Sequence, residues 1–278
     1  MKTAYFDVST EDDIAHIRFN RPDQLNSMTP EFWNDLPEIV EEIDDKGAAR
    51  VIVLSSTGKH FTAGMDLSVF SSSDSLSGAS SKVTRGATLY EFVKVCQRTI
   101  SSLEKTRMPV IAAIQGGCIG GGMDLVTAAD MRYATEDAFF CIQEINIGMT
   151  ADVGTFPRLT RLVPEGVARE LAYTGRRMPA SEAQAVGLVN RIYPDPDALL
   201  DGVMEVAREI AAKAPLAVFG TKRILNYSRD HSTEDTLDYI GIWNASMLQP
   251  AEMGEAFKAN AEKRKGEFAD LPPRPKNL

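Results

Sequence analysis

The sequence predicts an α/β protein with a helical C-terminal region. Up to about residue 195, short apolar segments of strand length alternate with amphipathic segments of helix length, whereas only helical patterns follow. The chain has 278 residues and is 44% hydrophobic, which is enough for a full core. We therefore expect a core over residues 1–200 and a helical region over residues 201–278, with the natural boundary near residues 195–197.

The first elements of the core are two strands and a helix. Residues 14–20 alternate apolar and polar side chains, as a half-buried strand does. A helix is predicted over residues 30–45, with a proline at its first position. Pro37 lies inside that helix and should kink or shorten it. Residues 50–55 form a continuous apolar run, which is typical of a strand buried on both faces.

The middle of the chain begins with a serine-rich segment, Ser68–Gly86, which predicts a flexible loop. It is interpreted either as a lid that orders with a ligand or as a plain insertion. Further elements of the core are predicted as helices over residues 87–105 and 181–187, a helix beginning at Gly121 or Gly122, and strands over residues 109–115, 131–134, 138–142 and 188–193. Helices over residues 201–213, 216–229, 233–248 and 252–263 complete the chain. This tail is small for an independent core, so we expect it to pack on a neighbouring region or a partner subunit.

Charge and composition exclude several classes of function. A net charge of -9 argues against a nucleic-acid partner, which needs a basic face. No apolar run approaches the roughly 18 residues that span a bilayer, so no membrane association is expected. The N-terminus has no signal-peptide core, which makes the cytoplasm the default location. A peroxisomal or mitochondrial matrix location stays open for a eukaryotic source, although residues 276–278 depart from the S-K-L signal at two positions.

Isolated reactive residues give weak signals. Cys96, Cys118 and Cys141 form no C-x-x-C pair and are interpreted as reduced, buried thiols; Cys118 lies beside a glycine cluster, but no histidine is near it in sequence. The three histidines are widely spaced and no metal-ligand pattern occurs, so no metal is expected. The basic segment Lys258–Lys265 is either a solvated helix face or a site for a ligand phosphate. The two tryptophans, Trp33 among them, are interpreted as packing residues.

Two glycine-containing turns follow predicted strands, at residues 61–67 (FTAGMDL) and 120–124 (GGGMD). Glycine lets the backbone approach a ligand closely, and a helix N-terminus leaves N–H groups unpaired. Two such groups aimed at one oxygen form an oxyanion hole. A glycine cluster alone also fits a simple turn or tight packing. Neither G-x-G-x-x-G nor G-K-[ST] is present, so a dinucleotide site and a P-loop are not supported.

Together with Asn20-Arg21-Pro22, these two turns resemble the enoyl-CoA hydratase/isomerase (crotonase) superfamily from about residue 14 to residue 187. The resemblance implies a spiral of ββα turns with a helical C-terminal region that packs in trimers, as a homotrimer or a dimer of trimers. It implies an acyl-CoA thioester substrate and no separate cofactor, because coenzyme A is part of that substrate. The oxyanion donors implied by the family motifs are the N–H groups of Met65 and Gly121.

Three carboxylates on a glycine-rich, apolar background are candidates for the chemistry: Asp124, Glu144 and Asp152. Family hydratases use the positions of Asp124 and Glu144 to hold one water, whereas moving two double bonds requires proton transfer at both C2 and C6. The extra carboxylate at residue 152 favours the second reaction. Similarity to Δ3,5-Δ2,4-dienoyl-CoA isomerases extends over residues 122–130, 137–140, 151–155 and 238–247.

This resemblance implies that Glu144 and Asp152 transfer the protons and that Asp124 is a buried supporting carboxylate. Burial should raise at least one of the three pKa values. The substrate-binding residues implied by the resemblance are Gln24, Asn26, Ala63, Gly64, Asp66, Leu67 and Gly122. For Asp66 a purely structural capping role is an equal alternative. The alternative functions are an enoyl-CoA hydratase, a Δ3-Δ2-enoyl-CoA isomerase and a non-catalytic acyl-CoA or RNA binder. Acyl-chain preference and pathway are not predicted.

Overall fold

A computed structural model of the chain describes residues 2–66, 68–69 and 83–275. Leu67, most of the predicted loop at Ser68–Gly86 and residues 276–278 therefore lie outside the described residues. Within them the strands are β1 (Phe6–Glu11), β2 (Ile14–Phe19), β3 (Val51–Ser56), β4 (Val110–Ile114), β5 (Gly117–Ile119), β6 (Met131–Thr135), β7 (Phe139–Cys141), β8 (Met178–Pro179) and β9 (Arg191–Tyr193). The α-helices are α1 (Pro30–Lys46), α2 (Arg85–Lys105), α3 (Gly121–Ala128), α4 (Thr155–Leu159), α5 (Glu165–Thr174), α6 (Ala180–Ala185), α7 (Pro196–Ala211), α8 (Pro215–Tyr227), α9 (Thr233–Met247) and α10 (Pro250–Glu262).

The strands form two sheets, which confirms the α/β class. The larger sheet has the order β1-β2-β3-β4-β6-β9; its first pair is antiparallel and the others are parallel. The smaller sheet has the order β5-β7-β8. As predicted, β3 is buried on both faces: Leu54 belongs to the main core, and Val53 packs in a second cluster. Because β4 and β6 are parallel neighbours, their C-terminal ends lie side by side. The chain continues from these ends into β5 and β7 of the smaller sheet, and the site is built from the residues around that sheet.

Helix α1 continues through Pro37 to Lys46, so the predicted shortening of the helix at this proline is wrong. A proline in a helix leaves the carbonyl four residues earlier without its N–H partner. That carbonyl belongs to Trp33, and the hydroxyl of Thr99 on α2 donates to it at 2.7 Å. The neighbouring helix thus supplies the hydrogen bond that the proline cannot make.

The predicted boundary at residue 200 falls inside α7, which begins at Pro196. This helix packs on the larger sheet, where Leu199 and Val203 complete the cluster containing Val53. Hence α7 belongs to the core, and the purely helical region begins with α8. The helix begins before residue 200 because Asp195 caps its N-terminus, where the side chain accepts a hydrogen bond from the N–H of Ala198.

The segment after α10 returns to the core in an extended form. Arg50 binds the carboxylate of Asp270 at 2.7 Å. Arg107 binds the carbonyl of Pro272 at 2.9 Å and the carboxylate of Asp44 at 2.6 Å. Both members of the Arg107–Asp44 pair are buried, so the C-terminal segment covers an ion pair between α1 and the start of β4.

The last three helices expose a large amount of apolar surface. The exposed large apolar side chains of this region are Leu225, Leu237, Ile242, Met247, Leu248, Met253 and Phe257. Such a concentration of exposed apolar side chains is typical of an interaction surface. In the described part of the chain, no helix combines the length and apolarity that crossing a bilayer would require.

Candidate active site

The first glycine turn lies between two other segments and is fixed by backbone hydrogen bonds. The N–H of Met28 donates to the carbonyl of Gly64 at 2.8 Å, and the carbonyl of Met28 accepts from the N–H of Asp66 at 3.0 Å. Both bonds lie on the edge of the turn that faces Met28, so the N–H of the intervening residue Met65 points away from Met28. It has no acceptor among the described residues. Gly64 has φ +91°, and a Cβ there would lie 2.8 Å from the carbonyl oxygen of Ile119.

The second donor is the first residue of α3. The N–H of Gly120, before the helix, donates to the carbonyl of Cys141 at 2.9 Å, and its own carbonyl accepts from Met123 at 2.7 Å. As the first helical residue, Gly121 has no intrahelical acceptor for its N–H. A Cβ on Gly121 would lie 2.9 Å from the sulfur of Met28. Met28 therefore contacts both predicted donor segments.

One cavity brings together both predicted donors and all three predicted carboxylates. Its lining residues are Trp33, Ala63, Gly64, Met65, Gly120, Gly121, Asp124, Gln143, Glu144, Ile147, Met149, Asp152 and Val153. Trp33 was expected only to pack, but its ring forms part of this wall and lies against Gly121. The ring is held by its N–H, which donates to the carbonyl of Met28 at 3.2 Å. Since α1 has an ordinary amphipathic pattern, nothing in the sequence distinguishes this tryptophan from a core residue.

Asp124 is almost completely buried, with 1% of its surface exposed. Its Oδ1 accepts from the N–H of Thr155 at 2.7 Å and from the hydroxyl of Thr155 at 2.8 Å. Its Oδ2 has no hydrogen-bond partner in the described part of the chain. Burial, followed by the charge of Glu144, raises the pKa of Asp124 to about 7, although the two Thr155 bonds and Arg158 act in the opposite direction.

Glu144 begins a 3-10 turn, Glu144–Ile147, directly after the smaller sheet. Its Oε1 lies 3.3 Å from the place that a Cβ on Gly120 would occupy, so the carboxyl group is next to the second glycine turn. Its Oε2 is buried and lacks a partner within the described residues. Burial raises the pKa of Glu144, and the charge of Asp152 raises it further.

Asp152 also lines the cavity and is exposed. Partial desolvation raises the pKa of its carboxyl group. The side-chain amide of Gln97, on α2, donates to the backbone carbonyl of Asp152 at 2.7 Å. Sequence reasoning did not find Gln97, because a bond to a backbone atom 55 positions away leaves no pattern in the chain.

Asn26 was predicted to bind substrate, but all of its side-chain polar groups are occupied within the protein. Its amide donates to the carbonyls of Thr57 at 2.7 Å and His60 at 2.9 Å, and its Oδ1 accepts from the N–H of Arg21. The residue is fully buried. The structure therefore gives Asn26 a role in positioning the first glycine turn, while a direct contact with substrate stays a prediction.

The other predicted binding residues are placed differently. The Asp66 carboxylate accepts from the Ser27 hydroxyl at 2.6 Å and from the Ser68 N–H at 2.9 Å. These bonds lower its pKa to about 2 and correspond to the capping alternative. Gln24 is exposed, and Ala63 lines the cavity. Gly122 lies behind the cavity, where a Cβ would be 2.6 Å from the Cγ2 of Thr62.

The remaining candidates lie outside the cavity. Burial raises the pKa of the Cys118 thiol well above its ordinary value, which keeps it a poor nucleophile. In the basic C-terminal segment, Arg264 is paired with Glu255, whereas Lys258 forms no ion pair with any described residue. The described residues contain no group of three His, Cys, Asp or Glu side chains placed to hold a metal ion.

Comparisons with known proteins agree with this geometry. The enoyl-CoA hydratase/isomerase family matches residues 9–271 of the chain. The chain is 42% identical over 258 residues to the mitochondrial Delta(3,5)-Delta(2,4)-dienoyl-CoA isomerase of Rattus norvegicus, covering 92% of this chain and 79% of that protein. It is also 42% identical over 264 residues to the peroxisomal Delta(3,5)-Delta(2,4)-dienoyl-CoA isomerase of Arabidopsis thaliana, covering 95% of each. A crystal structure of enoyl-CoA hydratase from Bacillus anthracis is similar with a TM-score of 0.85 and 29% identity, covering 96% of this chain and all of that one.

Proposed function

The chain belongs to the enoyl-CoA hydratase/isomerase family, and we propose that it is an isomerase that converts 3,5-dienoyl-CoA into 2,4-dienoyl-CoA in fatty-acid β-oxidation. The observation that carries the proposal is the cavity that holds Asp124, Glu144 and Asp152 beside the backbone N–H groups of Met65 and Gly121, which have no acceptor among the described residues. The substrate is an acyl-CoA thioester. The reaction needs no separate cofactor, because both protons move between substrate and carboxyl groups.

In the proposed mechanism, the thioester carbonyl oxygen accepts hydrogen bonds from the N–H groups of Met65 and Gly121. One carboxylate removes a proton from C2, and the electron pair moves into a dienolate whose charge extends from the carbonyl oxygen to C6. A second, protonated carboxyl group delivers a proton to C6, which leaves double bonds at C2 and C4. The enzyme gains one proton and loses one in each turnover. Each oxyanion donor contributes on the order of 3 kcal/mol to stabilising the dienolate.

We assign the C2 proton to Glu144 and the C6 proton to Asp152. Glu144 lies against Gly120, next to the donor that binds the carbonyl, and C2 is the carbon adjacent to that carbonyl. Asp152 lines the same cavity and is more exposed than Glu144, which suits the more distant C6. Burial raises the pKa of both carboxyl groups, and the charge of Asp152 raises that of Glu144 further, which is the direction required for one of the two to hold a proton.

The function is tested with purified protein and two substrates. Incubation with 3,5-dienoyl-CoA should produce the conjugated 2,4-dienoyl absorbance, and hydration of 2-enoyl-CoA is followed in parallel. Hydration without dienoyl formation would replace the proposal with the hydratase alternative. Binding of coenzyme A thioesters without either reaction would indicate a non-catalytic binder.

The roles of Glu144 and Asp152 are separated by isotope exchange in D₂O. Asp152→Asn should lose product formation but keep deuterium exchange at C2, because its base is intact. Glu144→Gln should lose both. Exchange at C2 that disappears in Asp152→Asn and persists in Glu144→Gln would reverse the assignment.

We also propose that the chain forms a homotrimer, or a dimer of trimers, through the helices α8–α10. The exposed apolar side chains of this region support the proposal. Light scattering after size exclusion measures the mass directly, and Phe257→Asp should lower it if this face is the contact. Partners among nucleic acids or membranes are not expected at a net charge of -9. Cytoplasm stays the predicted location.

A further inference from the structure

We infer that Thr155 is a positioning residue that keeps the proton of a neutral Asp124 on Oδ2, the oxygen available to the cavity. The inference deepens the proposed function and rests on it, because the benefit is to a dienolate formed there. The family resemblance includes residues 151–155 but assigns no role to Thr155. The inference follows from the hydrogen bonds of one buried carboxyl group.

The two oxygens of Asp124 have different surroundings. Both donors of Thr155 are bound to Oδ1, at 2.7 and 2.8 Å. Thr155 is absent from the cavity lining, whereas Asp124 is part of it. Oδ2 is therefore the oxygen that Asp124 can present to the cavity, and it is buried with no partner in the described part of the chain.

These bonds determine where a proton can reside. An oxygen that already accepts two hydrogen bonds is a poor place for a proton, since the O–H oxygen of a carboxyl group is a weak acceptor. The charged and titratable groups that face Asp124 are Glu144, Arg158, Cys118 and Cys96. Glu144 is a like charge in a buried site, so ionising both carboxyl groups is unfavourable.

The cation among those neighbours does not remove this constraint. Arg158 is bound by the Glu104 carboxylate at 2.5 and 2.9 Å, and Glu104 also pairs with Arg229. Nε and Nη2 of Arg158 are thus bound to Glu104, and its Nη1 is buried without a partner among the described residues. The charge of Arg158 lowers the pKa of Asp124, but burial and Glu144 have the larger, opposite effect. A neutral Asp124 places no negative charge beside Glu144 or the dienolate, and Thr155 ensures that its hydrogen points into the cavity.

The experiment is infrared spectroscopy of the carboxyl C=O stretch, whose frequency falls when the carbonyl oxygen accepts hydrogen bonds. With the proton on Oδ2 the carbonyl oxygen is Oδ1, so loss of the Thr155 hydroxyl bond should raise that frequency. The band of neutral Asp124 is assigned by its absence in Asp124→Asn. Thr155→Val keeps the shape and the backbone N–H but removes the hydroxyl that favours the ionised form. We expect the ratio of neutral to ionised Asp124 at a given pH to rise about tenfold, because a hydrogen bond to a charged group contributes about 1.5 kcal/mol or more. Thr155→Ser, which restores the hydroxyl, should return the wild-type titration.

The same variants are assayed for kcat/KM on 3,5-dienoyl-CoA across pH. The profile of Thr155→Val should shift in the same direction as its infrared titration, and that of Thr155→Ser should not shift. If Thr155→Val does not fold, Thr155→Ala is measured in its place. An unchanged titration in the hydroxyl-free variant, or an infrared shift without a shift of the pH profile, would overturn the inference. Wild-type protein that does not act on 3,5-dienoyl-CoA would instead refute the proposed function, and the C=O frequency would still decide which oxygen of Asp124 carries the proton.

Discussion

Replacing Asp124 with asparagine should make the protein more stable at high pH, with a gain that depends on pH. The pKa of Asp124 is about 7 in the folded chain, against 3.8 for an ordinary aspartate. Below pH 3.8 both the folded and the unfolded chain are protonated at this residue, so it adds no pH dependence. Between pH 3.8 and 7 only the unfolded chain releases the proton, which favours unfolding. Each pKa unit corresponds to about 1.4 kcal/mol, so the full penalty above pH 7 is about 4 kcal/mol.

Asparagine removes this titration but keeps an Oδ1 that can accept both bonds from Thr155. The free energy of unfolding of the variant, minus that of the wild type, should therefore rise by about 2 to 3 kcal/mol from pH 5 to pH 8. Urea unfolding at several pH values measures it. Asp66→Asn is the control, since the pKa of Asp66 is held near 2 and its carboxylate is ionised in both states over this range. If the difference in the free energy of unfolding between Asp124→Asn and wild type is the same at pH 5 and at pH 8, the prediction is wrong.

Three further substitutions test packing around the site. Gly122→Ala should reduce both stability and activity, because the new Cβ would meet the Cγ2 of Thr62 at 2.6 Å. Thermal melting and the rate of 2,4-dienoyl-CoA formation measure these effects, and an unchanged melting temperature with an unchanged rate would contradict the prediction. Trp33→Leu should enlarge the cavity and shift the chain-length profile of kcat/KM toward bulkier acyl groups, whereas an unchanged profile would remove this ring from the acyl site. Arg107→Met should cost about 3–5 kcal/mol in unfolding free energy, because Asp44 is left as a buried charge; a loss below about 1 kcal/mol would show that Arg274 or water compensates.

The sequence was sufficient for the parts of the fold that depend on local patterns. The apolar run at β3 predicted a strand buried on both faces. The change from glycines to helix formers predicted that α3 begins at Gly121 or Gly122, and it begins at Gly121. The effect of Pro37 was not predictable, because the compensating hydroxyl of Thr99 comes from a helix far along the chain. Helix α7 is capped by Asp195 and begins at Pro196, five residues before the predicted start at residue 201.

The candidate site was likewise predictable from the sequence only in part. Family motifs pointed to Met65, Gly121 and the three carboxylates, all of which line one cavity. The groups that orient them act through single hydrogen bonds across long sequence separations. Thr155 binds Asp124 across 31 positions, and Gln97 binds the backbone of residue 152 across 55. Such contacts have no period or spacing, so only the folded arrangement shows them.

The two proposed oxyanion donors, Met65 and Gly121, are expected to move together, because Met28 contacts both segments. Its backbone is bound to the residues on either side of Met65, and its sulfur packs against the Cα region of Gly121. A fluctuation that displaces Met28 therefore carries both N–H groups together and leaves their separation nearly constant. Thermal motion of the hole should then appear as a rigid displacement relative to Glu144 and Asp152. In NMR relaxation measurements, the backbone amides of Met65 and Gly121 should show the same time constant, and the carboxyl groups of Glu144 and Asp152 should show a different one.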